Sequence, residues 1–199
     1  MNNKLKVAIL ASGTGTNAES IIKYFDQSAS VEVACVGSNK KQAGVLEKAK
    51  RLNIPTFYQL TRKNESSEGY DFRLIKELEN FRPDWIVLAG YMRLLTSSFL
   101  KHFHYQVINI HPSLLPNFPG PRAYEQAFEA KVNQSGCTVH LVDEGMDTGA
   151  IISQRIIPIF PNDTLNDFKT RGLKIENDFY PEVLSDYLTN KKSATRGKL

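Results

Sequence analysis

The sequence predicts an α/β domain: a Rossmann-like, mostly parallel sheet flanked by helices, with an antiparallel strand toward the C-terminal side. Three observations carry this. Apolar, β-branched runs such as Val7-Ala8-Ile9-Leu10, Trp85-Ile86-Val87-Leu88 and Val107-Ile108-Asn109-Ile110 recur along the chain, as in strands buried on both faces. Between them lie amphipathic segments of helical period, the βαβ alternation of a parallel sheet. The first run also opens straight into a glycine turn and a helix, the start of a mononucleotide-binding unit. A chain of 199 residues holds one full core and not two, so a single domain is expected over 1–190, followed by a basic tail at 191–199.

Taken in order, residues 5–10 make the first strand and Ala11-Ser12-Gly13-Thr14-Gly15-Thr16-Asn17 the turn. A helix is expected over 18–25, with Ile21, Ile22 and Phe25 at helical spacing. The glycines allow close backbone approach, and loop amides beside a helix N-terminus suit a phosphate dianion; a plain turn fits the same residues. The turn lacks the third glycine of a dinucleotide fingerprint and the lysine of a P-loop. A second strand at 31–36, ending in Gly37-Ser38-Asn39, precedes a helix over 42–52 with Val45, Leu46 and Ala49 inward, then a short strand at 56–58. The polar loop 61–68 carries Arg62 and Lys63, which either face solvent or hold an anionic ligand tail.

A helix over 70–81 is expected to bury Phe72, Leu74, Ile75 and Leu78, and Pro83 stops it. Residues 85–89 are the most apolar strand and belong in the middle of the sheet. The loop after it, Gly90-Tyr91-Met92-Arg93-Leu94-Leu95, either packs into the core or forms an apolar slot for a flat heterocycle. Next comes a strand at 107–110, running into Asn109-Ile110-His111-Pro112-Ser113-Leu114-Leu115-Pro116. At period two, Asn109 and His111 point to the same side. A carboxamide and an imidazole projecting together can donate to one developing negative oxygen, and the imidazole can move a proton; a strand cap beside a turn fits the pair as well.

A helix at 122–130 and a strand at 137–142 follow, then Asp143-Glu144-Gly145-Met146-Asp147-Thr148-Gly149, with three acids in five residues. They are either solvated turn carboxylates or include one that reaches His111 and orients its ring. Residues 151–159 read as a last strand antiparallel to its neighbour, and 163–188 as a long helix that Pro181 bends or breaks.

Composition narrows the function classes. Hydrophobic content of 41% and charged content of 23% are globular values. No run is long enough to span a membrane and none has the form of a signal peptide, which leads us to expect a cytoplasmic protein. Cys35 and Cys137 lie in expected strands without metal-ligand spacing, so buried thiols are expected and no metal. The net charge of +4 comes from Lys191, Lys192, Arg196 and Lys198; without these four of the 25 basic residues, 21 stand against 21 acids. A neutral body argues against nucleic-acid binding. A Rossmann oxidoreductase would need an acid after the second strand, where Ser38-Asn39 stand.

The stretch Asn109-Ile110-His111-Pro112-Ser113-Leu114-Leu115-Pro116 resembles the signature loop of the folate-dependent formyltransferases, and the resemblance extends over nearly the whole chain up to the tail. It implies a formyltransferase fold and transfer of formyl from 10-formyltetrahydrofolate to the amine of glycinamide ribonucleotide, in de novo purine (IMP) biosynthesis. Carried over by motif, Asn109, His111 and Asp147 are the catalytic trio. Gly15, Thr16 and Asn17 bind the ribonucleotide phosphate, and Glu176 contacts the glycinamide. The folate site comprises Met92, Arg93, Leu94 and Leu95, whose backbone reads the pterin edge, with Asn109 and the closing loop Asp143, Glu144, Gly145, Met146 and Asp147. No covalent enzyme intermediate and no metal are implied, only small-molecule partners, and a monomer or weak homodimer. Relatives that formylate a charged tRNA need a further RNA-binding domain, for which no segment is expected here. Two positions depart from the family pattern. Ser67 stands where an arginine often holds the folate tail, leaving Arg62 or Lys63 for that task, and Arg122 and Tyr124 stand where histidines are common.

Overall fold

The computed structural model describes residues 4–196. The strands are β1 (Leu5–Leu10), β2 (Val31–Ser38), β3 (Thr56–Tyr58), β4 (Trp85–Leu88), β5 (Val107–His111), β6 (Gln134–Leu141) and β7 (Ile151–Pro158). The helices are α1 (Thr16–Phe25), α2 (Gly44–Arg51), α3 (Ser67–Glu79), α4 (Ser97–His102), α5 (Ala123–Glu129) and α6 (Leu165–Arg196). All seven strands form one sheet in the order β3-β2-β1-β4-β5-β6-β7. The apolar β4 is its middle strand, as expected. The ladders from β3 to β5 are parallel. β6 pairs antiparallel with both β5 and β7, so it alone runs against the rest.

Alternation along the strands splits the core into two layers. Val7, Ile9, Val87, Ile108 and Ile110 face one side, covered by α1, α2 and the long α6 through Ile21, Val45, Phe179 and Leu184. Tyr180 seals this layer by donating from its buried hydroxyl to the carbonyls of Leu88 and Ile108, both at 3.1 Å. Ala8, Leu10, Ile86, Leu88 and Val107 face the other side, under Tyr70, Leu74 and Leu78 of α3 and Phe99 and Leu100 of α4. Two residues beyond Val107 on this second face come Asn109 and then His111.

Several expectations change. Phe72 is 58% exposed; two residues from the buried Tyr70, it lies about 200° round the helix from the inward stripe, and the Lys76 ammonium sits 4.4 Å above its ring. Asp71 is buried in its place, accepting from the Thr96 backbone N–H at 2.7 Å at the start of α4. That helix was not expected, being too short to show a period. The long C-terminal helix starts at a reciprocal cap, with Thr164 N–H donating to Asp167 Oδ2 at 2.9 Å and Asp167 N–H to Thr164 Oγ1 at 3.2 Å. It is not broken at Pro181 and runs on to Arg196, across the expected boundary at 190. The remainder of the expected tail, 197–199, lies outside the described residues. Cys35 and Cys137 are buried free thiols. Among the described residues no helix is long and apolar enough to cross a membrane.

Candidate active site

In an open α/β sheet the crevice opens where the strand order reverses. Here that point lies between β1 and β4, and the loops leaving their carboxyl ends, together with β5, wall a cavity of about 730 Å³. Ser12 ties the two loops together. Its backbone N–H donates to the Gly90 carbonyl at 3.0 Å, and its Oγ accepts from the Met92 N–H at 2.8 Å.

The glycine turn is one end of this cavity, with Gly13, Thr14, Gly15, Thr16 and Asn17 all on its wall. α1 begins two residues earlier than expected, at Thr16, so Gly15 is its N-cap, in the left-handed region at φ 75°. The first amides of α1 have no intrahelical acceptor and face the crevice end of the helix, which suits an anion. A Cβ at Gly15 would lie 2.4 Å from Val45 Cβ, so both backbone conformation and space demand glycine. Gly15→Ala is therefore expected to lower the unfolding free energy by roughly 2–4 kcal/mol. Urea denaturation checks this, and an unchanged midpoint contradicts it.

The expected trio meets on the second face. Asn109 and His111 both line the cavity, and Asp147 reaches them from the loop between β6 and β7. Because β6 runs antiparallel, that loop leaves from the level of the start of β5, where Val142 N–H donates to the Val107 carbonyl at 2.9 Å. It then folds back along β5 until Asp147 Oδ2 stands 3.2 Å from His111 Nδ1 and accepts from the Gly120 N–H at 2.8 Å. Asp147 itself sits at φ 57°. His111 Nε2 lies 2.8 Å from the Phe118 carbonyl oxygen. Both neighbours of the ring are acceptors, so only the doubly protonated ring donates to each.

Asn109 is oriented by a residue that the sequence reading did not single out. His140, directly across the ladder from Asn109, is buried, and burial pushes its pKa below the usual histidine value. In the neutral ring, Nδ1–H donates to the Leu141 carbonyl at 2.9 Å, leaving Nε2 as acceptor for Asn109 Nδ2 at 3.2 Å. The amide nitrogen of Asn109 is thereby fixed, with a second N–H remaining for a ligand. Period two along 138–140 puts Thr138 and His140 on one face, but only the cross-strand register brings His140 to Asn109.

The expected folate residues divide. A narrower cleft of about 110 Å³ continues from the cavity between the two loops, lined by Leu88, Tyr91, Leu95, Asn109, His140 and Val142 together with Arg93, Leu94, Asp143, Gly145, Met146 and Asp147. Met92, on the wall of the larger cavity, and Leu94, on both walls, are each 70% exposed, whereas Tyr91 and Leu95 of the same loop pack into the layer under α3 and α4 while lining the cleft. Glu144 is not on either wall; its carboxylate turns outward to the Tyr105 hydroxyl at 3.1 Å. Asp143 braces the loop from within, accepting from Gly145 N–H at 3.1 Å and Thr148 Oγ1 at 2.7 Å. Arg62 and Lys63 line neither space. Two other cations do, Arg122 on the larger cavity and Arg93 on both spaces; the Arg93 guanidinium lies 3.8 Å over the Tyr70 ring, donates to Thr61 at 3.0 Å, and keeps a buried Nε without a partner among the described residues.

At the far wall, Glu176 of α6 is 4% exposed and accepts from Asn17 Nδ2 at 2.9 Å and from the Tyr124 hydroxyl. Burial raises the Glu176 pKa against the effect of both donors. Among the described residues, no group of three or more His, Cys, Asp or Glu side chains is placed to hold a metal ion.

Comparison with known proteins agrees with this architecture. Residues 5–184 match the formyl transferase family. Phosphoribosylglycinamide formyltransferase of Bacillus subtilis is 41% identical over 184 residues, covering 92% of this chain and 94% of the relative. The trifunctional purine biosynthetic protein adenosine-3 of Drosophila melanogaster is 42% identical over 90% of this chain, which spans only 14% of that longer protein. The crystal structure of phosphoribosylglycinamide formyltransferase from Bacillus halodurans superposes with a TM-score of 0.88 at 43% identity, covering 92% of this chain and 95% of that one. With a matching family over nearly its whole length, a relative of like extent and a shared fold, the chain belongs to the formyl transferase family.

Proposed function

We propose that the chain transfers the formyl group of 10-formyltetrahydrofolate to the amine of 5-phosphoribosylglycinamide, giving N-formylglycinamide ribonucleotide in de novo purine biosynthesis. The observation that carries this reading is the convergence of Asn109, His111 and Asp147 midway along one cavity. One end of that cavity is a helix N-terminus suited to phosphate. The other opens into an apolar slot of Tyr91, Leu95 and Val142, with a few polar groups at its edge, the make-up of a site for a flat ring.

The chemistry is an acyl transfer. The unprotonated glycinamide amine bonds to the formyl carbon as the carbonyl electrons move to oxygen; these electrons return to re-form the carbonyl as the bond to the folate nitrogen breaks, and the proton lost by the amine reaches that nitrogen. Asn109, its amide aimed by His140, gives an N–H to the developing oxygen. His111 gives the second, its Nε2–H exchanging the Phe118 carbonyl for this oxygen. One such donor contributes about 3 kcal/mol to the transition state. Asp147 holds the imidazolium from Nδ1 and, with His111, carries the proton between the two nitrogens. Gly15, Thr16 and Asn17 take the phosphate, Glu176 takes the glycinamide end, and Arg93 offers a cation to the anionic folate tail. No metal and no covalent bond to the protein enter the step.

The test is a spectrophotometric assay of purified protein with glycinamide ribonucleotide and 10-formyl-5,8-dideazafolate, a stable cofactor analogue. Deformylation that depends on the ribonucleotide is the expected result. Binding of the analogue without turnover would move the acceptor to another amine, such as an amino sugar nucleotide.

A further inference from the structure

The buried contact between α5 and α6 does more than pack two helices. We propose that Tyr124 is a positioning residue for the amine end of the ribonucleotide: its hydroxyl fixes one oxygen of the Glu176 carboxylate, so that the remaining lone pairs of that carboxylate face the acceptor amine. The proposal rests on the function given above and deepens it.

Glu176 lies almost fully inside the protein and on the cavity wall, yet no cation pairs with it among the described residues. Its ties are the Tyr124 hydroxyl on Oε1 and Asn17 Nδ2 on Oε2 at 2.9 Å. Two ionised oxygens offer about four acceptor positions, so one on each remains for a ligand N–H. The side chain of Asn17 bears the mark of the same arrangement. Its Oδ1 is buried without a partner among the described residues, because turning the amide would set oxygen against the carboxylate. A buried unpaired acceptor is costly to stability, and the amide is held this way nonetheless. Asn17 also belongs to the phosphate turn, so the chain Asn17–Glu176–Tyr124 links the phosphate end of the cavity to the amine end.

The place of Tyr124 is itself shaped for its hydroxyl. Its ring meets Phe168 edge-on, with centroids 5.1 Å apart. Facing it on α6 is Gly172, where a Cβ would stand 2.2 Å from the Tyr124 oxygen. A phenylalanine would keep the ring packing and lose only the contact to Glu176.

The test measures ribonucleotide and folate-analogue binding to the full chain by calorimetry, for the wild type, Tyr124→Phe, Glu176→Gln and the double variant, with steady-state kinetics alongside. The ribonucleotide Kd and KM of Tyr124→Phe are expected to rise about tenfold, with folate-analogue Kd and kcat within about twofold. In the Glu176→Gln background the same change is expected to add nothing, since Tyr124 acts through Glu176. Gly172→Ala, which crowds the hydroxyl from behind, is expected to reproduce the rise and serves if Tyr124→Phe does not fold. Unchanged ribonucleotide binding in the variant that folds, an equal loss for both ligands, or additive effects in the double variant would overturn the proposal while leaving the enzyme's function intact. Absence of ribonucleotide binding by the wild type would overturn both.

Discussion

His111→Ala is expected to lower kcat/KM by roughly 10³-fold, the combined size of one oxyanion donor and a proton carrier, while the protein stays folded. The ring is almost fully buried between the Asp147 carboxylate at 3.2 Å and the Phe118 carbonyl at 2.8 Å, and its loss takes the ring's contact from the Phe118 carbonyl and leaves Asp147 Oδ2 with the Gly120 N–H. That costs roughly 1–3 kcal/mol of stability, which a domain with two full apolar layers tolerates. The loss should fall on turnover rather than on ligand binding, because the turn and the slot proposed for phosphate and heterocycle are built by other residues. Steady-state kinetics with circular dichroism check the two halves together. Turnover within tenfold of the wild type, in a folded variant, would remove His111 from the mechanism.

Asp147→Asn is expected to cost roughly 10²–10³-fold in kcat, and it is a cleaner change than Asp147→Ala. Asp147 sits in the left-handed region at φ 57°, which asparagine adopts readily and alanine does not, so the asparagine variant keeps the backbone. Oδ2 now serves both the Gly120 N–H at 2.8 Å and His111 Nδ1 at 3.2 Å. An amide oxygen can still serve both, but without charge, and the imidazolium loses its counter-ion. Both activity and the strength with which the 143–149 loop is fastened to the Pro119-Gly120 turn are thus tested in one protein. A variant with undiminished kcat would show that the Asp147 charge takes no part in the proton transfer.

What could be read from the sequence was whatever is local. The expected strand 107–110 and its period placed Asn109 and His111 on one side without any knowledge of neighbours, and the apolarity of 85–89 placed that strand centrally. Helix α3 shows the limit of counting apolar residues: its stripe includes Asp71, chosen for a hydrogen bond across to α4, and excludes Phe72. Three acids in the 143–147 stretch offered no local means of choosing among them. Asp147 was singled out by resemblance, and its contact depends on β6 running backwards so that the loop returns along β5. His140 and Tyr124 were out of reach for the same reason. One acts across a ladder whose register is set by tertiary pairing, the other across 52 residues to Glu176, and neither contact leaves a periodic trace.

In the proposed reaction formyl passes directly between two bound small molecules, arranged by Asn109, His111 and Asp147. This is tested most directly by a single turnover of the wild-type protein with a ¹³C-formyl folate donor and glycinamide ribonucleotide, quenched and read by mass spectrometry of both the ribonucleotide and the intact protein. The label is expected on the ribonucleotide amine at every time point, with the protein at its unmodified mass throughout. Label appearing on the protein before the ribonucleotide, or released as formate with the ribonucleotide unchanged, would contradict it.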